Sequence, residues 1–304
     1  MEGHPDLTAI ILTLNEEVHI QRCILSLQPV CRKIFVIDSF SSDGTVKIAA
    51  DLGAEVLQHP FTNQAHQLQW GLDNLIIDTR WIMRVDADEY LETDLHEELA
   101  ATLADIPDEI DGIFVKLKVV FEGQWIRHGG FYPLTLMRIW RNGRGRIEQR
   151  WMDEHILLPA GARTITLNGG WVDGNLKGMT FWVTKHNKYA SREAAEMLNR
   201  KYHLLPPDVG LIHMTHAPAK GKRLIKERVY SRLPMGLRAA LYFLYRYFLL
   251  LGFLDGRKGL VWHFMQGFWY RWLVDIKIME IEERGRGNPT RIREILRDEH
   301  GITL

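Results

Sequence analysis

Apolar residues follow two rhythms over the first hundred positions. Leu7 to Leu14 is an apolar run of strand length, and beyond Asn15-Glu16-Glu17 the residues Ile20, Cys23, Ile24 and Leu27 recur at i, i+3, i+4 and i+7, one face of a helix. Ile34 to Ile37 is a second run, ending in Asp38. Ser41-Ser42-Asp43-Gly44 then turns the chain, and Val46, Ala49 and Ala50 mark a helix that stops near Gly53. Ala54 to Leu57 reads as a third strand, Gln64, Leu68, Leu72 and Leu75 as a third helical face, and Trp81 to Val85 as a fourth strand ending in Asp86. Such alternation predicts an α/β fold, a parallel sheet with helices on both faces.

The C-terminal part follows another pattern. Leu237, Ala240, Leu241, Leu244, Tyr245, Phe248 and Leu251 keep a helical period, while Phe243, Tyr247 and Leu249 add apolar area outside that stripe. Such a helix is too apolar to be solvated all round. Arg238, Arg246 and Gly252 interrupt it, and a spanning helix needs about 20 predominantly apolar residues, so it is not expected to span a bilayer. Between Leu260 and Val274, Trp262, Trp269, Trp272, Phe264, Phe268 and Tyr270 stand beside His263 and Arg271, a mixture that suits the headgroup zone of a membrane. The expected division is an α/β domain over 1–215 and a helical, basic and aromatic region over 216–304, lying on a membrane surface or docked on protein.

Composition sharpens this division. The 304 residues are 46% hydrophobic and carry 38 basic against 38 acidic groups, enough for a large core and not the balance of a disordered chain. The zero net charge hides a polarity, since residues 1–110 hold 20 acidic and 6 basic side chains. Residues 220–258 hold ten basic groups against Glu227 and Asp255, interleaved with Leu, Tyr and Phe, which points to an anionic membrane surface as partner and not to nucleic acid. Cys23 and Cys31 are too few for a disulfide framework or a four-thiolate zinc site, and a reducing cytoplasm is expected. No basic start or apolar run precedes Leu7, so no secretory signal is expected.

Ligands of open parallel sheets sit beyond the carboxyl ends of the strands, and Asp38 and Asp86 both fall there. The first turn, Thr13-Leu14-Asn15-Glu16, lacks the G-x-G-x-x-G of dinucleotide enzymes, and no G-x-x-x-x-G-K-[ST] occurs. Asp86-Ala87-Asp88-Glu89 follows the fourth strand instead. In extended backbone, residues i and i+2 point the same way, so Asp86 and Asp88 can address one hard divalent cation, Mg²⁺ or Mn²⁺, that keeps positions open for phosphates.

In order along the chain, Thr13-Leu14-Asn15-Glu16, Asp38 to Thr45, Gln67 to Leu72 and Trp81 to Glu89 resemble the motifs of the family 2 glycosyltransferases. The resemblance covers about the first hundred residues. It implies a GT-A fold and transfer of a sugar, with inversion, from a nucleotide sugar, UDP-linked by preference. It further implies that Thr13, Asn15, Glu16, Asp38, Gln67 and Arg84 serve the nucleotide sugar, Asp38 on its uracil or ribose side, while Asp86 and Asp88 serve the metal and diphosphate. Asp43 is expected to organise its turn. Inversion needs one carboxylate to take the acceptor's proton. Trp151-Met152-Asp153-Glu154-His155 resembles the family's acidic motif, which makes Glu154 the expected base, Asp153 the alternative, and His155 a further metal or diphosphate ligand.

Lys185 and His186 stand either near the diphosphate or on an exposed helix start, and His213 and His216 are expected to be structural. Members of the family that build polysaccharides and lipopolysaccharides end in similar Gly-Phe-Leu-Asp-Gly regions. By that analogy the acceptor is lipid-linked or a glycan and the protein is peripheral on the inner, cytoplasmic membrane face. A metal-dependent sugar nucleotidyltransferase and a non-catalytic membrane adaptor are the competing readings.

Overall fold

The computed structural model describes residues 5–148, 154–204 and 234–302. They form two compact units, the first comprising 5–127 and 131–177, the second 128–130 and 178–302. The helix Met179–Tyr202, which the sequence pattern left in the first domain, belongs to the second unit because its apolar face packs on the helix Tyr270–Gly285.

In the first unit, β1 (Leu7–Thr13), β2 (Lys33–Asp38), β3 (Glu55–Gln58) and β4 (Trp81–Asp86) alternate with α1 (Ile20–Leu27), α2 (Thr45–Asp51) and α3 (Gln64–Asn74). Then come β5 (Glu89–Leu91), α4 (Thr93–Asp105), β6 (Ile110–Phe121), β7 (Gln124–Ile126), β8 (Leu134–Arg141), β9 (Arg146–Ile147), β10 (Ile156–Leu157) and β11 (Arg163–Asp173). The main sheet has the order β3-β2-β1-β4-β8-β6-β11-β5, with β7 beside β6. It is mixed. The expected parallel pairing holds across β3-β2-β1-β4, as Thr13 lies beside Asp38 and Leu12 beside Asp86, and returns between β6 and β11. β8 runs antiparallel to both β4 and β6.

Alternation along β1 builds the layers. Leu7, Ala9 and Ile11 face a core with Ile20, Cys23, Ile24 and Leu27 of α1 and Leu95 and Leu99 of α4. Ile10 faces the other way, onto Ala65 and Leu68 of α3 with Ile82 and Trp140. Helices therefore cover both faces, as a GT-A fold requires, and the loops after β1, β2 and β4 gather at one edge.

In the second unit, α5 (Met179–Tyr202) precedes α6 (Leu237–Leu244), whose last turn widens into a π-helical turn over Tyr245–Leu249. After a break come the 3-10 turn Gly252–Asp255, α7 (Gly256–Phe264), a second π-helical turn over Met265–Trp269, α8 (Tyr270–Gly285) and α9 (Pro289–His300). Asn288 caps α9 through Thr290 N (2.9 Å), with Pro289 at the first helical position. Glu193 of α5 accepts from Tyr270 Oη (2.8 Å) and Arg271 Nη1 (2.6 Å) of α8. Arg238 and Asp275 make a buried ion pair.

Candidate active site

The loops after β1 and β2 are zipped together by short polar side chains. Thr13 Oγ1 donates to Asp38 Oδ1 (3.0 Å), and Asp38 also accepts from Ser41 N (2.8 Å), Gln58 Nε2 (3.0 Å) and the Ser41 hydroxyl. Asp38 is fully buried, so in this state its carboxylate organises the loop and does not face solvent. Asn15 adopts a left-handed conformation (φ 55°), and its Oδ1 accepts from Ser42 N (2.8 Å). Glu16 N donates to Thr45 Oγ1 (2.7 Å) and Glu17 N to Asp43 Oδ2 (3.2 Å). Burial works to raise the Asp43 pKa, but the Thr45 hydroxyl and amide and the Glu17 amide outweigh it and hold the carboxyl below its usual range. Asp43 thus organises its turn, as its position suggested.

Gln67 is also buried. It donates to Ser39 Oγ and His59 O (3.1 Å each) and accepts from the His59 ring (2.8 Å), which stacks on Trp70 at 4.4 Å between centroids. Its place is behind the loop after β2.

At the end of β4, Arg84 draws three acceptors together. Its Nη2 donates to Gln64 Oε1 (3.0 Å) and Glu154 Oε1 (2.9 Å) and lies 3.5 Å from Asp86 Oδ1. Arg138 of β8 reaches Asp86 Oδ2 (3.2 Å) and pairs with Glu89. Burial pushes the Glu89 carboxyl above its usual range; Arg138 opposes this, while Asp86 and Asp173 add to it. Burial disfavours the Arg138 charge, but Glu89 and Asp86 prevail and raise its pKa. The Nε–H groups of Arg84 and Arg138 are buried and have no hydrogen-bond partner among the described residues. These are donors left over in a place rich in acceptors.

Loop 174–177, after β11, closes on the same edge. Asn175 Nδ2 donates to Asp88 Oδ2 (3.0 Å), and Arg22 Nη2 to the carbonyls of Asp88 (3.0 Å) and Gly174 (2.5 Å). Lys177 Nζ reaches Asn15 O (2.6 Å) and Glu16 Oε1 (2.9 Å). His19 accepts from Leu176 N at Nε2 (2.7 Å), so Nδ1 carries the proton that it shares with Glu16 Oε2 (2.5 Å).

The structure therefore brings Thr13, Asn15, Glu16, Asp38 and Gln67 into one loop cluster, and Arg84, Asp86 and Glu154 into another on the same sheet edge. His155 does not join them. β10 pairs with β9 so that His155 and Glu148 face each other across the ladder; Glu148 Oε2 takes the ring at 3.2 Å, and the imidazole is exposed. In this arrangement the His155 ring does not stand with Asp86 and Asp88 as a ready-made third ligand. Among the described residues no group of three or more His, Cys, Asp or Glu side chains could hold an ion. Asp153 and the His213/His216 pair lie outside the described residues. Lys185 and His186 sit on α5 in the second unit, where His186 stacks on Trp182 at 3.5 Å. Sequence reasoning passed over Lys177, His19 and Arg22, and it read Arg138 as part of an acceptor-facing stretch and not as a partner of Asp86 and Glu89. Only Arg138 had a signal, a charged residue inside an apolar strand.

The hard oxygen donors of Asp86 and Asp88 fit a divalent cation. Asp86 is 27% exposed, and its contacts with both arginines are long.

Comparison with known proteins bears on the family of the chain. Residues 8–166 match the family described as glycosyl transferase family 2, more than half of the chain. The chain is 29% identical over 197 residues to the lipopolysaccharide core biosynthesis glycosyltransferase LpsC of Rhizobium meliloti, covering 63% of this chain and 72% of that one. It is 31% identical over 118 residues to an uncharacterized glycosyltransferase of Rickettsia typhi, covering 38% of this chain and 40% of that protein. Among solved structures, glucosyl-3-phosphoglycerate synthase from Mycobacterium tuberculosis, in complex with Mn²⁺, UDP and glucosyl-3-phosphoglycerate, aligns at TM-score 0.31 and 22% identity, over 38% of this chain and 44% of that one. A further mycobacterial protein aligns at TM-score 0.41 and 14% identity, over 58% and 69%.

Proposed function

The chain belongs to glycosyl transferase family 2, and from that premise we propose that it transfers a sugar, with inversion, from a UDP-sugar to a lipid-linked or glycan acceptor in lipopolysaccharide or related cell-surface polysaccharide synthesis. One observation carries the reading: Arg84 joins Asp86, at the carboxyl end of a central parallel strand, to Glu154, the expected base, with 2.9 Å between guanidinium and base. That arrangement supports a reading in which Asp86 serves the donor and Glu154 the acceptor on either side of one guanidinium.

Thr13, Asn15 and Glu16 line the nucleotide cleft, with Asp38 and Gln67 holding their loop. The buried Nε–H groups of Arg84 and Arg138, unpartnered among the described residues, leave cationic groups beside Asp86 short of acceptors, which supports an anionic diphosphate at this edge. Arg84 holds Oε1 of Glu154, leaving Oε2 to take the acceptor hydroxyl proton as the oxygen attacks the anomeric carbon. Asp86 and Asp88 would hold Mg²⁺ or Mn²⁺, and a bound cation would supply positive charge to the departing nucleoside diphosphate. Inversion follows from direct displacement with a single base. The place of work is the cytoplasmic face of the membrane, where the second unit contacts lipid.

The test is a panel of nucleotide sugars scored by Mn²⁺-dependent thermal stabilisation, followed by turnover of the stabilising donor. Glu154→Gln is expected to keep donor binding and to lower transfer by about 10²–10⁴-fold. Transfer at the native rate removes Glu154 as base. Pyrophosphate release from a nucleoside triphosphate and a sugar 1-phosphate would assign the site to nucleotidyl transfer instead.

A further inference from the structure

Between Leu237 and Phe264 the second unit has turned its polar groups inward and its apolar ones outward. Arg238 is buried on Asp275. Arg246 donates from Nε to Gly129 O (2.6 Å) and from Nη1 to Tyr242 Oη (2.7 Å). Asp255, the one acid of the segment, is 4% exposed and accepts from His128 N (3.0 Å) and from the rings of His128 (2.7 Å) and His263 (3.2 Å). The exposed side chains are apolar or aromatic except for Arg257 and Lys258. They are densest at the helix break, with Leu249 74%, Leu254 55% and Phe248 53% exposed, and Leu251 and Phe253 beside them.

Backbone geometry at the break matters as much. Leu251 takes a left-handed conformation (φ 58°), and the helical pair Leu237–Leu249 and Gly252–Gly285 is bent by 74°. No single helix among the described residues is long and apolar enough to cross a membrane; the bent pair passes that test only together. A break normally strands backbone polar groups, which are costly in hydrocarbon. Here Leu250 N donates to Tyr245 O (3.0 Å), Leu254 N to Leu251 O (3.0 Å), and Gly129 N to Leu250 O (2.8 Å). Gly129 (φ 66°) is required for that cap, since a Cβ there would stand 2.1 Å from His263 Cε1.

From these observations we infer that the helix break around Leu250 is a wedge that enters one leaflet of an anionic bilayer and leaves by the same side, with Arg257 and Lys258 at the headgroups. The inference deepens the membrane-surface location proposed above and rests on it. Charge complementarity selects the occupant: an apolar tip with a cationic rim and no exposed acid matches hydrocarbon beneath anionic headgroups. A second copy fits less well, because an isologous contact would set the cationic rim against its own copy, and the described segment 237–264 exposes no acid.

Cys23 and Cys31 are buried, so Leu249→Cys in the full chain takes an environment-sensitive fluorophore selectively. Vesicles of phosphatidylcholine with phosphatidylglycerol are expected to blue-shift this label, and acyl-chain nitroxides to quench it. A label at exposed Arg291 should respond to neither. Leu249→Ser with Leu254→Ser is expected to lower partitioning at least tenfold with unchanged circular dichroism. Arg257→Glu with Lys258→Glu should abolish the preference over pure phosphatidylcholine. If the protein sediments with vesicles while the label at 249 stays water-like, the wedge is wrong but the membrane location stands. If it does not sediment at all, both fail while donor turnover remains a separate question. A lipid-free dimer dissolved by the serine variant would assign the tip to a second copy and overturn the wedge.

Discussion

Arg138 and Glu89 are 6% and 2% exposed, and a pair so deeply buried is far costlier to break from one side than to remove whole. Arg138→Met leaves Glu89 without its guanidinium and is expected to destabilise the chain by about 3–5 kcal/mol, read as a lower urea midpoint. Adding Glu89→Met should restore most of that loss, because two apolar side chains of similar volume then replace the pair. A double variant as unstable as the single one would mean that the pair holds β4 and β8 in some way beyond charge compensation. The strand end at Asp86 is legible in sequence because it is local, whereas Ala87 and Asp88 lie in the turn between β4 and β5 and not in the extended backbone that the i, i+2 spacing assumed. The partners of Asp86 are not legible, since Arg138 lies 52 positions away and Glu154 meets Arg84 across 70. Asp38 shows the same limit. Its place at a strand end is local, but its burial beneath Thr13, Ser41 and Gln58 depends on how three loops stack.

Among the elements, α5 carries a titration that reports on its packing. His186 accepts from Gln266 at Nε2 (2.8 Å) and donates from Nδ1 to Trp182 O (2.9 Å), an arrangement that suits the neutral ring. Burial pushes its pKa down to about 4, against hydrogen bonding to Trp182, and Lys185 adds to the lowering. The unfolded chain would take this proton below about 6.5, the folded one only near 4, so stability is full above that window and is lost as pH falls through it. The loss should reach about 2–3 kcal/mol by pH 4, measured as the denaturation midpoint of the second unit against pH. His263, also lowered by burial, adds in the same direction. His186→Gln should therefore flatten the profile in part, and an unchanged slope would show that the ring is protonated in the fold. The period of α1 marked its buried face correctly at Ile20, Cys23, Ile24 and Leu27, whereas α3 buries Ala65, Gln67, Leu68 and Gly71 while Leu72 and Leu75 are only half-buried. Small residues such as Gly71, where a Cβ would meet Ile37 at 2.2 Å, seat a helix closely yet have no hydrophobic signature.

Taken as a whole molecule, the chain keeps its candidate chemistry in the first unit and its exposed apolar tip in the second. Donor with Mn²⁺ is accordingly expected to slow hydrogen exchange over 13–22, 38–45, 84–89 and 174–177, and anionic vesicles to slow it over 241–264, each leaving the other pattern unchanged. Vesicle-induced protection of the loops after β1 and β2 would contradict that separation. Sequence alone determined the strands and helices between Leu7 and Asp86, that acids stand at the carboxyl ends of β2 and β4, and that the C-terminal segment is helical and rich in apolar residues, because apolar period and turn chemistry act over a few residues. Only the tertiary structure decided that β8 enters the sheet antiparallel, that His155 turns to Glu148 and away from Asp86, that Asp255 is hidden while Leu249 is bare, and that α5 joins the second unit. Each of those outcomes is settled by groups distant in sequence competing for the same buried space and the same hydrogen bonds, a competition with no local periodicity to betray it.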